Sequence, residues 1–384
     1  MGKKRGKQSP PFERRHCVLC GKVMLKGLDE YVTGATGRVV CKACLGLSEK
    51  VMKSSQAEEK QEAKIPNAIL TPQEIIRELN QTIIGQERAK RAVAVAFWKQ
   101  QLRASGDESV PRTNTLLYGP TGCGKTALTQ EASKIVGLPF ISFDATTLSE
   151  TGYRGKDAVD IIKEYENRFS EHPNLTSGVV FLDEVDKLAA RGSETRTEYS
   201  KGTQHSLLKL VEGTEVDCGA RIISTNKLLF VFGGAFTGLS NRTLHTKQVG
   251  PIGFLKQSRQ EEVLEDISVS DFVRFGMEPE LMGRMGQYIP LEQLTAEELK
   301  RILLESDLSL FRQYQKFFDN RGVRLELGTN RVEELVQGAL NRGTGARGLN
   351  TLVEAAMEPL LFRLAEGRLK GEVCLDEKPI LHTG

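Results

Sequence analysis

The segment GPTGCGKT at residues 119–126 has the residue types and spacing needed to hold the phosphates of a nucleotide. It fits the pattern G-x-x-x-x-G-K-[ST], in which glycines let the backbone turn so that successive N–H groups face phosphate oxygens. Lys125 would reach the β- and γ-phosphates of ATP, and the Thr126 hydroxyl would bind Mg²⁺. The predicted phosphate-binding residues are Gly119, Pro120, Thr121, Gly122, Cys123, Gly124, Lys125, Thr126 and Ala127.

A second motif, VVFLDEVD at residues 179–186, is an apolar run that ends in two adjacent acids. Parallel sheets bind ligands at the carboxyl ends of their strands, so a buried strand here would present Asp183 and Glu184 to the same site. Asp183 would hold Mg²⁺ through water, and Glu184 would polarise the attacking water. Two acids at a strand end are usually plain surface residues, but the phosphate-binding segment upstream favours a catalytic role.

Two CxxC pairs near the start of the sequence, Cys17 with Cys20 and Cys41 with Cys44, predict a structural zinc site. Four thiolates complete a tetrahedral shell around Zn²⁺, so the neighbouring His16 is not needed as a ligand. Four independent buried thiols, or a redox role for the pairs, are the alternative interpretations. We expect zinc, because clustered cysteine pairs in a long chain without a secretory signal fit a reducing compartment.

The charge balance argues against several classes of partner. The 384 residues include 53 basic and 50 acidic side chains, a net charge of +3, which gives no global attraction for nucleic acids or anionic membranes. No run of about 18 apolar residues is present to span a bilayer. The basic stretch MGKKRGKQSPPFERR is not followed by an apolar segment, so it does not have the form of a secretory signal. We therefore expect a cytoplasmic protein.

Composition divides the chain into four parts. Residues 1–48 would form the zinc-binding module, and the charged residues 49–66, with few large apolar side chains, are predicted to be a linker. Residues 67–290 would form a large α/β domain, and residues 291–384 a small, mainly helical one. The chain is long enough for two or three domains of ordinary size.

Within the large domain, short apolar strands at 114–118, 178–182 and 228–232 alternate with helical stretches. This alternation indicates a parallel sheet with crossover helices. Capping boxes, TPQE from Thr71 and TAEE from Thr295, predict the starts of two helices.

Several longer blocks, in order along the chain from residue 16, resemble the ClpX family, the ATP-binding subunits of Clp proteases within the AAA+ ATPases. The blocks are the cysteine pairs, ELNQTIIGQERAKRAVAVA, GPTGCGKT, FLDEVDKL, SLLKLVEGT, LFVFGGAF, ELMGRMG and GTGARGLNTLVEAA. The resemblance implies an AAA+ P-loop fold with a treble-clef-like zinc module. It also implies an ATP-driven protein unfoldase and translocase, working as a homo-hexamer that feeds unfolded or tagged proteins to a ClpP-type peptidase.

The resemblance also assigns roles to individual residues. Ile83, Ile84 and Gly85 match a segment that contacts the adenine. Arg284 matches an arginine that acts across a subunit boundary on the γ-phosphate of the neighbour, and Arg347 matches one that senses nucleotide state from the small domain. A guanidinium can stabilise charge on a transferring phosphoryl group, so both roles are chemically reasonable. The resulting catalytic set is Lys125, Asp183, Glu184 and Arg284.

The substrate-handling loops depart from the family. The first pore loop reads GYRG instead of GYVG, so Tyr153 is kept and Arg154 brings a positive charge. The second pore loop lacks the family's RKH motif, and Arg221 is the only basic residue close to that position.

The tripeptide Ile252, Gly253 and Phe254 matches the IGF loop that docks into hydrophobic clefts on ClpP. An exposed isoleucine and phenylalanine on a loop would suit binding to such a groove. A loop anchored on the protein's own core is the alternative, so this feature separates a protease partner from a stand-alone chaperone.

Two other functions stay open from the sequence. An ATP-switched nucleic-acid factor is the runner-up, since zinc modules and P-loops coexist in such proteins, although the near-neutral charge argues against it. A zinc adaptor with a degenerate ATPase is the third, opposed by the intact Lys125, Asp183, Glu184 and Arg284.

Overall fold

The chain separates into two compact units, Met1–Lys64 and Ile65–Gly384. The structure, a computed structural model, describes residues 14–17, 23–25, 31–33, 39–42, 69–148, 156–172, 175–190, 194–219, 221–239 and 267–375.

The regular elements follow in chain order. The strands are β1 Arg14–His16, β2 Val23–Leu25, β3 Tyr31–Thr33, β4 Val39–Cys41, β5 Thr115–Tyr118, β6 Phe140–Asp144, β7 Val179–Asp183, β8 Glu215–Asp217, β9 Ile222–Ser224, β10 Leu229–Gly234, β11 Gln287–Pro290, β12 Val323–Leu327 and β13 Gly371–Leu375. The helices are α1 Pro72–Thr82, α2 Glu87–Ala104, α3 Lys125–Val136, α4 Ala158–Phe169, α5 Glu194–Glu212, α6 Val269–Phe275, α7 Pro279–Gly283, α8 Ala296–Leu304, α9 Leu310–Asp319, α10 Thr329–Arg342 and α11 Gly345–Ala365.

The first unit contains two antiparallel strand pairs, β1 with β2 and β3 with β4. Cys17 directly follows β1 and bridges to Val39 in β4, which places Cys17 near Cys41 at the end of that strand. All three side chains are buried.

The second unit is built on a five-stranded parallel sheet in the order β11-β5-β10-β7-β6. Side chains alternate between its two faces. Leu116 and Leu182 belong to the core on one face, whereas Leu117 and Phe181 belong to the core on the other. Because both faces are covered, the strands are almost continuously apolar, which is why they stood out in the sequence.

The predicted capping boxes are confirmed at both helix starts. The Thr71 side chain accepts from the Glu74 N–H, and the Glu74 carboxylate accepts from the Thr71 N–H at 2.8 Å. Thr295 and Glu298 make the same reciprocal pair at the start of α8. Each box supplies partners for backbone N–H groups that the first helical turn leaves free.

The C-terminal part is mainly helical, as predicted, with α8 to α11 packed around one apolar core. It also contains a parallel pair, β12 with β13, which the sequence analysis did not predict. Val323 and Leu325 of β12 and Leu375 of β13 point into that core. Two strands of 5 residues each are hard to recognise beside three strongly amphipathic helices, α8, α9 and α10.

The segment that follows SLLKLVEGT forms a short antiparallel hairpin, β8 with β9. The Cys218 N–H donates to the Arg221 carbonyl at 3.0 Å and closes the turn. Arg221 Nε lies 3.2 Å from Glu166 Oε1 on α4, and the Glu166 side chain is buried. The guanidinium therefore holds the hairpin against α4.

None of the helices in the described part of the chain is long and apolar enough to cross a membrane.

Candidate nucleotide site

The phosphate-binding segment joins β5 to α3 through a turn that favours glycine at three positions, Gly119, Gly122 and Gly124, all of which have positive φ. Residues 291–295 join β11 to α8 and are called the β11–α8 linker. Gly119 approaches this linker so closely that a Cβ would lie 2.3 Å from the Leu291 carbonyl oxygen. Gly124, with φ +103°, directly precedes α3. The first residue of α3 is Lys125, whose Nζ donates to the carbonyls of Gly119 at 2.8 Å and Pro120 at 2.9 Å.

Asp183 and Thr126 meet across the sheet edge. β10 lies between β5 and β7, so their carboxyl ends are separated by one strand. Gly233 in β10 has no side chain there, and a Cβ would lie 2.6 Å from the Phe181 ring. The Thr126 hydroxyl donates to Asp183 Oδ2 at 3.1 Å. A hydroxyl and a carboxylate in contact are the oxygen donors that Mg²⁺ prefers.

Glu184 begins a turn of 3₁₀ helix, Val185–Leu188, in the left-handed conformation with φ 56°. Its N–H donates to Asp183 Oδ1 at 2.9 Å, which fixes the backbone at the strand end. Left-handed backbone is disfavoured for residues with a Cβ, and such outliers cluster at functional sites.

These residues surround one cavity of about 380 Å³. Nine of its lining residues were predicted from the sequence: Thr121, Gly122, Gly124, Lys125, Thr126, Ala127, Asp183, Glu184 and Arg347. Gly119 and Pro120 contribute carbonyls to Lys125 just outside the lining. Cys123 faces the core instead, and burial raises the pKa of its thiol above the ordinary value, although Lys125 nearby opposes the shift.

Arg347 reaches the cavity because α11 begins against the phosphate-binding segment. The Ala346 N–H donates to the Gly122 carbonyl at 3.1 Å. A Cβ on Gly122 would lie 2.0 Å from the Thr344 carbonyl oxygen, so glycine permits this contact. The start of the last long helix therefore forms one wall of the site.

Arg284 lies outside the cavity of its own chain. It ends α7, its side chain is exposed, and Nη2 donates to Glu212 Oε1 at 2.5 Å. This position leaves the guanidinium on the surface of the chain.

The adenine-contacting candidates lie beside the cavity, not in its lining. Ile83 and Ile84 are buried, and Gly85 packs so tightly that a Cβ would lie 2.0 Å from Glu298 Oε1. The next residue, Gln86, hydrogen-bonds to the Cys123 carbonyl. Gln86 lies in the block ELNQTIIGQERAKRAVAVA, but the family resemblance assigned it no role.

Five further cavity residues were missed: Asp186, Lys187, Ala235, Ala346 and Asn350. Asp186 Oδ1 accepts from the Ala235 N–H at 3.1 Å and so ties the end of β10 to the turn after β7. Lys187 Nζ lies 3.4 Å from Asp186 Oδ2. Asn350 lies one turn beyond Arg347 on α11, and helical spacing from Arg347 could have indicated it.

Two of the four predicted zinc ligands are described. Cys17 and Cys41 are both buried, and the Cys41 N–H donates to Cys17 Sγ at 3.4 Å. Backbone N–H groups that bond to sulfur are usual around thiolate metal sites. No group of three or more His, Cys, Asp or Glu able to hold a metal occurs among the described residues, from which Cys20 and Cys44 are missing.

The predicted substrate and partner loops also fall outside the described residues. These are Tyr153 and Arg154 of the first pore loop, and Ile252, Gly253 and Phe254 of the docking loop.

Two known protein families match the second unit, one over its α/β part and one over its C-terminal part. Residues 110–288 match the family described as AAA domain (Cdc48 subfamily). Residues 294–375 match the C-terminal, D2-small domain of ClpB protein. With the P-loop cavity at the edge of a five-stranded parallel sheet, these matches define an AAA+ ATPase.

Curated relatives narrow the class. The ATP-dependent Clp protease ATP-binding subunit ClpX of Treponema denticola is 34% identical over 95% of this chain and 93% of its own length. The ATP-dependent Clp protease ATP-binding subunit ClpX 3 of Methylococcus capsulatus is 34% identical over 92% of this chain and 90% of its own length. ClpX of Azotobacter vinelandii is 34% identical over 92% of this chain and 88% of its own length. The chain belongs to the ClpX family.

Proposed function

We propose that the chain is an ATP-driven protein unfoldase and translocase that feeds substrates to a ClpP-type peptidase. The observation that carries the proposal is the convergence of Lys125, Thr126, Asp183 and Glu184 on one cavity, in a chain similar over nearly its whole length to ClpX subunits. The nucleic-acid alternative is not favoured, since the relatives are Clp protease subunits and the net charge is only +3.

The residues of the cavity divide the chemistry of hydrolysis between them. Lys125 would exchange its bonds to the Gly119 and Pro120 carbonyls for the β- and γ-phosphate oxygens. Thr126 and Asp183 would hold Mg²⁺, which neutralises phosphate charge when bound. Glu184, held at the strand end by its bond to Asp183, would orient and polarise the attacking water.

The proposal includes a homo-hexamer. Arg284 is exposed and lies away from its own cavity, as expected for a guanidinium that acts on the γ-phosphate of a neighbouring subunit. Arg347, on the wall formed by α11, would report nucleotide state to the C-terminal part. An arginine that acts on a neighbour requires adjoining subunits, and a closed ring gives every site such a neighbour.

Substrate and partner contacts complete the proposal. Tyr153 would grip the translocating chain, with Arg154 adding positive charge, while Ile252, Gly253 and Phe254 would dock on the peptidase. The hairpin β8–β9 supports a changed substrate preference, since its one arginine, Arg221, is engaged by Glu166.

A cytoplasmic protein with zinc held by Cys17, Cys20, Cys41 and Cys44 is also part of the proposal. The buried pair Cys17 and Cys41, joined by an N–H···S bond, supports it. Metal analysis of the purified full chain should find about one zinc, as expected for a Cys₄ site. A sample without zinc that keeps its fold would contradict this part.

Hydrolysis is tested with Glu184→Gln, which keeps the shape of the side chain but cannot polarise water. We expect kcat to fall about 100-fold or more with ATP binding retained, whereas Glu171→Gln, an exposed residue just after α4, should match the parent. Equal rates for the parent and Glu184→Gln would contradict the mechanism.

The partner is tested by capture of ClpP on the immobilised full chain with ATP. Capture by the parent and loss with Phe254→Ala are the expected results. Failure of the parent to bind ClpP would remove the peptidase from the proposal and leave the ATPase intact.

A further inference from the structure

The Gln86 side chain joins parts of the nucleotide site that are far apart in the sequence. Its Oε1 accepts from the Glu292 N–H at 3.0 Å, and its Nε2 donates to the Glu292 carbonyl at 2.8 Å. The same nitrogen donates to the Cys123 carbonyl, in the phosphate-binding segment, at 3.4 Å. The amide thus pairs with both backbone groups of Glu292 and reaches the P-loop with its remaining proton. We name this set, Gln86 with Cys123 and Glu292, the Gln86 clamp.

The backbone at Gln86 is itself held in a disfavoured state. Its φ of 59° and ψ of 36° are left-handed, and the side chain does not cap α2, the helix that follows. A residue with a Cβ keeps this conformation only where the surroundings fix it. The three side-chain hydrogen bonds of the clamp do so.

The segment that leads into Gln86 is fixed from the other side by α8 and the turn after it. The Ser306 hydroxyl donates to the Thr82 carbonyl at 2.7 Å, and Ser306 is buried. Gly85 packs against the Glu298 carboxylate with no room for a Cβ. Residues 82–86, which include the adenine-contacting candidates, therefore lie between the P-loop and the C-terminal part.

We propose that Gln86 is a positioning residue for ATP binding. Its side chain sets the distance between residues 83–85 and the P-loop by bonding to the Cys123 carbonyl and to Glu292 in the β11–α8 linker. The proposal rests on the ATPase function proposed above. Gln86 does not line the cavity that Lys125 and Glu184 line, so its loss should weaken ground-state and transition-state binding equally. Such a change raises KM and leaves kcat unaltered.

Two substitutions separate the contribution of the Gln86 side chain from that of its left-handed backbone. Gln86→Ala removes the clamp and keeps the disfavoured backbone, whereas Gln86→Gly removes the clamp and relieves it. We expect KM for ATP to rise on the order of tenfold in both, with kcat within about twofold of the parent. The matched control is Gln315→Ala. It removes a hydrogen bond of 3.0 Å from the side-chain amide to the Leu325 carbonyl, away from the nucleotide cavity. It should leave KM unchanged.

A third variant tests the hydrogen bonds themselves. In Gln86→Glu, the ionised carboxylate cannot donate to the Glu292 and Cys123 carbonyls, but a protonated carboxyl can donate to one of them. An ordinary glutamate is ionised near pH 7.5, so KM for ATP at that pH should rise at least as much in Gln86→Glu as in Gln86→Ala. A KM for Gln86→Glu within about twofold of the parent's would overturn the proposal.

The outcomes distinguish the two proposals. A parent without ATPase activity would overturn the proposed function. An active parent with unchanged KM in Gln86→Ala and Gln86→Gly, or with a rise in KM only in Gln86→Ala, would overturn the Gln86 clamp alone. A lower kcat with an unchanged KM would show a merely structural role.

Discussion

Three described residues other than glycine have a left-handed backbone: Gln86, Glu184 and Phe236. Glu184 lines the nucleotide cavity, Gln86 bonds to the P-loop, and Phe236 follows Ala235, which also lines the cavity. Strained conformations persist where surrounding contacts fix them, and here they surround a single site. The sequence gives no sign of such strain, because it depends on contacts between distant segments.

Single-residue chemistry predicts that Cys123 is a poorly reactive thiol despite its place in the P-loop. Its side chain is buried, and its raised pKa keeps the neutral thiol dominant at pH 8, so thiolate forms only at higher pH. With iodoacetamide at pH 8, the exposed Cys374 should react about tenfold faster or more, measured by peptide mass spectrometry.

Unfolding in urea is the control, since it should bring the two rates close together. Faster labelling of Cys123 than of Cys374 in the folded protein would show that the P-loop opens far more readily than this packing allows.

Among the elements, those with a strong local signal were predictable. The P-loop, the acidic strand end and the two capping boxes are written in consecutive residues, and the elements observed there match within a few positions. The position of α11 was not predictable from local pattern, because it depends on a backbone contact between Gly122 and Ala346. The parallel pair β12–β13 was missed because its two strands are short and far apart in the sequence.

The contact between α11 and the P-loop leads to a prediction at the element scale. Gly345→Ala places a Cβ 2.6 Å from the Gly122 carbonyl oxygen, in addition to the cost of a left-handed alanine. We expect the dissociation constant for ATP to rise about tenfold or more, because the P-loop or α11 must shift.

Gly343→Ala is the matched control for this substitution. Gly343 is also left-handed, at φ +63°, but a Cβ there would meet no atom within 4 Å. Thermal unfolding should show a loss of stability in both variants, larger in Gly345→Ala because of its clash, while titration with a fluorescent nucleotide should show weaker binding only in Gly345→Ala. Equal affinities would mean that α11 does not restrain the P-loop.

For the whole molecule, the exposed position of Arg284 predicts complementation between subunits. Lys125→Ala lacks its own site but keeps Arg284, and Arg284→Ala keeps its site but lacks the arginine for its neighbour. A mixture of the two should hydrolyse ATP faster than the sum of the separate variants, because some interfaces combine both intact halves.

A mixture of Lys125→Ala with Glu184→Gln is the control. Both changes lie in the cavity of one chain, so no interface regains a complete site. If the first mixture is no more active than the second, Arg284 does not act on a neighbour.

The pairing of β11 with β5 has a mechanical consequence. The β11–α8 linker continues directly from β11, and the N–H of its first residue, Leu291, donates to the Tyr118 carbonyl at 2.7 Å. Tension applied through the linker along the strand axis would load the β11–β5 hydrogen bonds in shear, all together and not one after another. In a machine that pulls on polypeptides, force on the C-terminal part would thus reach β5, the strand that ends at the phosphate-binding segment.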